Sequence, residues 1–228
     1  RRFLRHCQLI VLCNRHLQER LTRPGQRVLI LPTVPLETPS VKPRQVRGLP
    51  RLGWVGNAGN LPYLETLDGV LGELQAHHPF ELIVIGPPGT QADLRTTHRY
   101  VPWDLKVDRS LGDLFDVGLM PLPDDSWTRS KCGYQIVRYQ SFGLPTVASP
   151  VGIDAELIEH GVTGLLAQDE REWHDCLELL LQNPSLVNLM SSRIQSRYAE
   201  RFSPESNFKR LFKALCEMVA EGRRRAKP

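Results

Sequence analysis

The sequence of 228 residues predicts an α/β domain with a doubly wound parallel sheet. Three observations carry this. Short, almost continuous apolar runs recur along the chain. Stretches with helical spacing alternate with them. Several of the runs end in Gly, Pro or Ser: Gly56, Gly86-Pro87-Pro88, Pro102-Trp103, Pro121 and Ser149-Pro150. Strands that are apolar throughout are covered on both faces, the signature of a parallel sheet. Such sheets bind ligands beyond the carboxyl ends of their strands.

The elements follow in order. Gln8 to Cys13 (QLIVLC) reads as a buried strand, and Asn14 caps the short amphipathic stretch RHLQERL that Pro24-Gly25 ends. RVLILP, Arg27 to Pro32, is a second strand. Pro35, Pro39, Pro43 and Pro50 then punctuate a segment with little periodicity, which reads as a linker over 35–50 and a domain boundary. RLGWVG (Arg51 to Gly56) is a strand; Pro62 suits a first helical turn, and Leu64, Leu67, Val70, Leu71 and Leu74 form one helical stripe. Further strands are FELIVIG (Phe80 to Gly86), YVPW (Tyr100 to Trp103), DVGLMPL (Asp116 to Leu122), LPTVAS (Leu144 to Ser149) and the LLA after Gly164. Tyr134 to Phe142 is a helix, a short helix follows Asp154-Ala155, and Glu170 to Arg224 is helical with Pro184 and Pro204 as punctuation.

Composition limits the function classes. The chain is 41% hydrophobic and 24% charged, with a formal net charge of +4, enough for a real core and too mild a basicity to demand nucleic acid. No apolar run approaches the roughly 20 residues of a membrane helix. The sequence shows no signal peptide and opens at Arg1, so it reads as an excerpt of a longer protein. The five cysteines, Cys7, Cys13, Cys132, Cys176 and Cys216, form no CxxC pair, and their odd count suits reduced thiols. Neither they nor the seven histidines form a metal-binding cluster, so no metal is expected.

Three segments could carry chemistry. GNAGN, Gly56 to Asn60 with Asn57 between, joins a strand to a helix; it is either a loop that brings backbone N–H groups to a phosphate or a tight turn. In PLPDDSWTRSKCGYQ, Pro121 to Gln135, Arg129 and Lys131 converge near a helix start, which suits a diphosphate. Asp124 and Asp125 there either bind a hydroxyl or stabilise the turn. In SPVGIDAELI, Ser149 and Gly152 lie between strand and helix, with Asp154 as the expected helix cap. Trp103 stands out among the tryptophans because it falls at a strand end.

Taken together, LGWVGNAGNLPYLETL, DVGLMPLPDDSWTRSKCGYQIVRYQSFGLPTVASPVG and DAELIEHGVTGLLA resemble the C-terminal half of glycosyltransferase family four, the retaining GT-B enzymes. The resemblance covers most of Arg51 to Phe202. It implies a Rossmann-like GT-B C-terminal domain over 51–205, the end of an N-terminal acceptor domain over 1–34, and a C-terminal helix and basic tail over 206–228. It implies transfer of a hexose from a nucleotide diphosphate sugar, UDP- or GDP-linked, to a hydroxyl acceptor, with no metal or other cofactor. The acceptor would be a glycan or lipid-linked molecule held by the missing N-terminal part. The place of action would be the cytoplasm, with membrane contact at most peripheral at the inner face. Gly56, Asn57 and Asn60 would lie over the diphosphate and sugar; Gly86, Pro87 and Trp103 would border the base. Asp125, Arg129, Ser130, Lys131, Gln135, Arg138, Ser149 and Gly152 complete the implied donor pocket, and no catalytic side chain is named.

The chain departs from the family pattern. Ser130 and Arg138 stand where members commonly carry two glutamates, the later of which meets the ribose, and Gln135 stands where a lysine often meets the diphosphate. An arginine cannot accept hydrogen bonds from ribose hydroxyls. Either Arg138 supplies the cation from a shifted place, or the donor site is degraded and the chain is a non-catalytic binding or partner protein. A sugar-nucleotide epimerase of the same architecture fits the block from Asp116 to Gly152 less well. A nicotinamide dehydrogenase lacks its glycine fingerprint and ribose-binding acid.

Overall fold

The computed structural model describes residues 3–36 and 48–225. Pro39 and Pro43 of the expected linker lie outside the described residues, as do the last three residues of the basic tail. Two strands, β1 (Ile10–Leu12) and β2 (Val28–Ile30), pair in parallel as a sheet of their own, joined through α1 (Arg15–Leu21). The Asn14 side chain accepts from the Leu17 N–H at 2.8 Å and caps α1, as its position in sequence predicts.

The remainder alternates as expected. It runs β3 (Arg51–Val55), α2 (Leu61–Glu65), α3 (Asp68–His77), β4 (Glu81–Gly86), β5 (His98–Pro102), α4 (Leu105–Asp108) and α5 (Leu111–Leu114). Then come β6 (Val117–Met120), α6 (Tyr134–Ser141), β7 (Thr146–Ala148), α7 (Asp154–Leu157) and β8 (Gly164–Leu166). The chain closes with α8 (Glu170–Gln182), α9 (Pro184–Arg201) and α10 (Pro204–Arg225), the last two opening at the prolines that punctuate the sequence. The strands β3 to β8 form one wholly parallel six-stranded sheet, in the order β5-β4-β3-β6-β7-β8. From β3 the chain builds outward to β5, then returns to β6 on the other side. The carboxyl ends of β3 and β6 therefore flank the topological switch point, where doubly wound sheets form a crevice.

Both faces of the sheet are covered, which explains the continuous apolar runs. Along β4, Leu82 and Val84 pack with Leu71 and Leu74 of α3 and, further along the same core, Trp173 and Leu177 of α8. Ile83 and Ile85 face the other way, into a cluster with Phe115, Tyr139 and Leu144. The period of two places alternate residues on opposite faces.

Two features differ from the sequence reading. The single helical stripe after Pro62 is split into α2 and α3. The Thr66 hydroxyl donates to the Tyr63 carbonyl at 2.7 Å, and α3 restarts at Asp68. The Asp68 carboxylate then anchors the approach to β5, accepting from the Thr96 N–H at 2.9 Å and the Thr96 hydroxyl at 2.7 Å. Burial works against that ionisation, but the hydrogen bonds from Thr96 and Arg95 hold the carboxyl down at about 2. The second difference is α4 and α5, single turns too short to leave a period in the sequence.

Candidate functional site

At the switch point two loops face each other. After β3, the Gly56 N–H donates to the Ile85 carbonyl at 3.1 Å, and residues Ala58–Asn60 make one 3₁₀ turn into α2. A methyl group on Gly56 would run into the Trp54 ring, so the chain turns here in the space that glycine leaves. After β6, the loop is built around Asp125, whose side chain accepts from the N–H groups of Trp127 and Thr128, both at 2.8 Å. Thr128 is buried and its hydroxyl donates to the Pro123 carbonyl at 2.6 Å. The loop then presents Lys131 and enters α6 through Gly133.

Gly133 has φ +65°, the left-handed region, and a side chain there would collide with Leu157 and Ile153 of the α7 segment. Gly133→Ala is expected to lower stability by about 2 kcal/mol through backbone strain and that collision, read as a drop in melting temperature.

A cavity of about 350 Å³ lies between the loops, lined by residues Trp54 to Asn57, Asn60, Tyr63, Met120 to Leu122 and Lys131 to Gln135. Lys131 is its cation. The Lys131 Nζ donates to Asn60 Oδ1 at 3.1 Å and sits 5.0 Å from the centre of the Tyr63 ring. Burial lowers the Lys131 pKa, and the charges of Asp154 and Asp125 oppose that shift. The first turn of α6 directs backbone N–H groups and the positive end of its dipole at the same space. Gln135 Nε2 is buried there without a hydrogen-bond partner. On the floor, the fully buried Tyr139 hydroxyl accepts from the Val55 N–H at 3.0 Å. Burial raises the Tyr139 phenol far above its ordinary range, so it stays neutral. The arrangement can hold an anion: one half-buried ammonium, a helix amino end and an amide donor without a partner converge on a mainly apolar pocket.

Asp154 is not the cap of α7 that the sequence suggests. Ile153 holds that position, and Asp154 is 1% exposed with Oδ2 unpartnered. Burial pushes its carboxyl up from 3.8 to about 7, opposed by the Lys131 ammonium. A carboxyl whose pKa rises on folding binds more protons in the native state, so its contribution to stability is lost as pH climbs through that window. Asp154→Asn is therefore expected to melt several degrees above the parent at pH 8, with the gap closing toward pH 4; parallel melting curves across that range check it.

The structure gathers some of the expected residues and turns others away. Gly56, Asn57, Asn60, Lys131 and Gln135 line the cavity. Gly86, Pro87 and Trp103 cluster at the neighbouring strand ends: the Trp103 N–H donates to the Gly86 carbonyl at 2.7 Å and the Tyr100 hydroxyl to that of Pro87 at 2.8 Å. Trp103 is 42% exposed beside them. Ser149 is buried and its hydroxyl accepts from the Leu122 N–H at 3.0 Å, fixing the loop after β6. Gly152, with φ +56°, packs on the Arg129 backbone too closely for a side chain. Arg129 pairs with Asp124 at 2.7 Å on the exposed side, and the Ser130 hydroxyl donates to the Ser126 carbonyl at 2.7 Å.

Arg138 does not supply a shifted cation. It is 4% exposed, donates to Asp108 Oδ2 at 2.6 Å and to the Asp108 carbonyl at 2.8 Å, and lies 4.7 Å from the Phe142 ring centre. Its position on the buried face of α6 points it into the protein. The expectation of reduced thiols also fails: Cys13 and Cys132 form a disulfide with Cα atoms 5.1 Å apart, leaving Cys7, Cys176 and Cys216 free. Their separation of 119 residues hides the pairing from any local pattern. Tyr63 and Tyr139 were also missed, although Tyr63 directly follows the Pro62 that marks the helix start.

A larger cavity, about 960 Å³, lies between α1, α7 and the junction of α9 with α10. It mixes Arg15, Arg23, Arg201 and Arg210 with Glu19, Glu156 and Glu200, so its charges largely cancel. It also lies away from the switch point. Chemistry favours the smaller pocket as the anion site.

The comparisons with known proteins follow the fold. The family model for "Glycosyl transferases group 1" matches residues 50–183. No curated protein matches the chain. Among solved structures, the chain is similar to sucrose-phosphate synthase from Thermosynechococcus elongatus, with TM-score 0.74 and 15% identity, over 96% of this chain and 60% of that one. It is similar to a glycosyltransferase from Rickettsia africae, with TM-score 0.70 and 11% identity, over 93% and 64%. It is similar to HepE from Anabaena, solved in complex with UDP and glucose, with TM-score 0.69 and 15% identity, again over 93% and 64%. The chain thus spans 60–64% of the length of these structures. At these identities they show a shared fold, GT-B with a Rossmann-like parallel sheet. No helix among the described residues is long and apolar enough to cross a membrane.

Proposed function

The chain belongs to the glycosyl transferases group 1 family, and from that premise we propose that it is the donor-binding half of a retaining hexosyltransferase. One observation carries the reading: the switch-point pocket joins the Lys131 ammonium, the amino end of α6 and the glycine loop after β3. A nucleoside diphosphate suits that combination. Its charge meets Lys131 and the N–H groups of Gly133, Tyr134 and Gln135, and its sugar lies toward Asn57 and Asn60. As the bond to the sugar breaks, negative charge grows on the diphosphate; a fixed cation and oriented N–H groups stabilise that charge without reorganising. Gly86, Pro87 and Trp103 then border the base. UDP is the favoured nucleotide, because HepE was solved with UDP and with UDP-glucose. Residues 1–34 are read as the end of an acceptor domain, 51–205 as the donor domain and 206–228 as the returning helix and tail. The acceptor, a glycan or lipid-linked hydroxyl compound, would be held by the remainder of such a fold.

A second reading, a non-catalytic relative that kept the fold, is favoured by one observation: Ser130 and Arg138 are committed to Ser126 and Asp108. A melting-temperature panel with UDP, GDP, ADP and their hexose conjugates separates the two. A ligand at 100 times its dissociation constant adds about 2.7 kcal/mol of stability. A selective rise with uridine nucleotides is the expected result. No rise with any nucleotide at millimolar concentration would favour the non-catalytic reading.

A further inference from the structure

We propose that Cys13 and Asn14 form a thiol-sensitive staple that positions Lys131, so that the redox state of the Cys13–Cys132 disulfide sets the affinity of the pocket for a nucleoside diphosphate; this rests on the donor-binding reading above. Two consecutive residues at the β1–α1 junction reach the same loop. Asn14 is 2% exposed, and its Nδ2 donates to the Lys131 carbonyl at 2.7 Å and to the Arg129 carbonyl at 3.2 Å. The cap of α1 uses only Asn14 Oδ1. Serine also caps helices well, so the amide donors do something that capping does not require. Beside it, Cys13 is bonded to Cys132, the residue after Lys131, and Cys132 itself lines the pocket.

The Lys131 backbone is therefore fixed at its own carbonyl and at the next residue. A lysine has a long, freely rotating stem, and its ammonium reaches Asn60 and Tyr63 only if the backbone is held. The segment on the far side, Gly133, offers no side chain to hold it. Reduction by a dithiol transfers two electrons and two protons: the Cys13–Cys132 bond breaks to two thiols while the dithiol closes to its cyclic disulfide. The two hydrogen bonds of Asn14 then hold the loop alone. Oxidised glutathione reverses the step.

The experiment compares the chain oxidised with glutathione and reduced with dithiothreitol, using UDP as the probe. Amide hydrogen exchange is followed over residues 129–135. Reduction is expected to speed exchange in that segment and to weaken UDP binding about tenfold. Cys13→Ser should bind as weakly as the reduced parent and stop responding to reductant. Asn14→Ser, which keeps the α1 cap, should weaken UDP binding with α1 exchange unchanged. Alkylation of both Cys13 and Cys132 in the oxidised protein would overturn the proposal, as would identical exchange at 129–135 in the two redox states. If UDP binds neither form, the donor-binding reading fails; faster exchange on reduction would still uphold the staple and unchanged exchange would still overturn it.

Discussion

Lys131→Met is expected to weaken UDP binding by one to two orders of magnitude while leaving the fold intact. The ammonium is the cation of the switch-point cavity, half-buried and bonded to Asn60 at 3.1 Å. Hydrogen bonds to charged groups contribute about 1.5–3 kcal/mol, which is roughly a tenfold to hundredfold change in affinity. Methionine keeps an unbranched side chain of similar length without the charge, so it removes the contacts of the ammonium with Asn60 and Tyr63 and little else. Isothermal titration of parent and variant checks the loss, and matched melting temperatures without ligand check that the loss is local. Arg129 provides the contrast: paired with Asp124 on the exposed side, it should tolerate Arg129→Gln with affinity changed by less than threefold.

Asp108→Ala is expected to cost about 3 kcal/mol of stability, because it leaves the Arg138 guanidinium buried without its carboxylate. For a chain of this size that is a fall of about 6–12 °C in melting temperature. Arg138→Met should behave differently. Buried ion pairs are often matched by well-packed apolar residues, and Arg138 already carries a buried Nε without a partner. The Arg138→Met variant is expected to melt within a few degrees of the parent and to bind UDP with unchanged affinity. A large loss of affinity in that variant, with stability preserved, would return Arg138 to the donor site.

The strands were legible because both faces of the sheet are buried: Leu82 and Val84 on one side and Ile83 and Ile85 on the other leave an unbroken apolar run. The loops after β3 and β7 were legible because Gly56 and Gly152 stand between strand and helix, whereas the left-handed turn at Gly133 carried no signal of its own. Strand order was not, since pairing of β3 with β6 joins residues more than sixty positions apart through contacts no local pattern records. Asp154 looks like a helix cap from its neighbours, yet the fold buries its carboxylate beside Gly133. Arg138 followed the period of α6 onto its buried face, and only the fold brings Asp108 to meet it. The Cys13–Cys132 bond and the amide of Asn14 reach across more than a hundred residues, so the loop holding Lys131 was visible while its fastening was not.

The central claim is that the crevice between β3 and β6 holds a nucleoside diphosphate. The most direct measurement is a titration of the ¹⁵N-labelled chain with UDP, following each backbone amide. Shift changes concentrated at residues 56–60 and 131–135 are the predicted result. Spectra unmoved by UDP, or changes confined to the charged cavity around Arg15, Arg23 and Arg201, would contradict it.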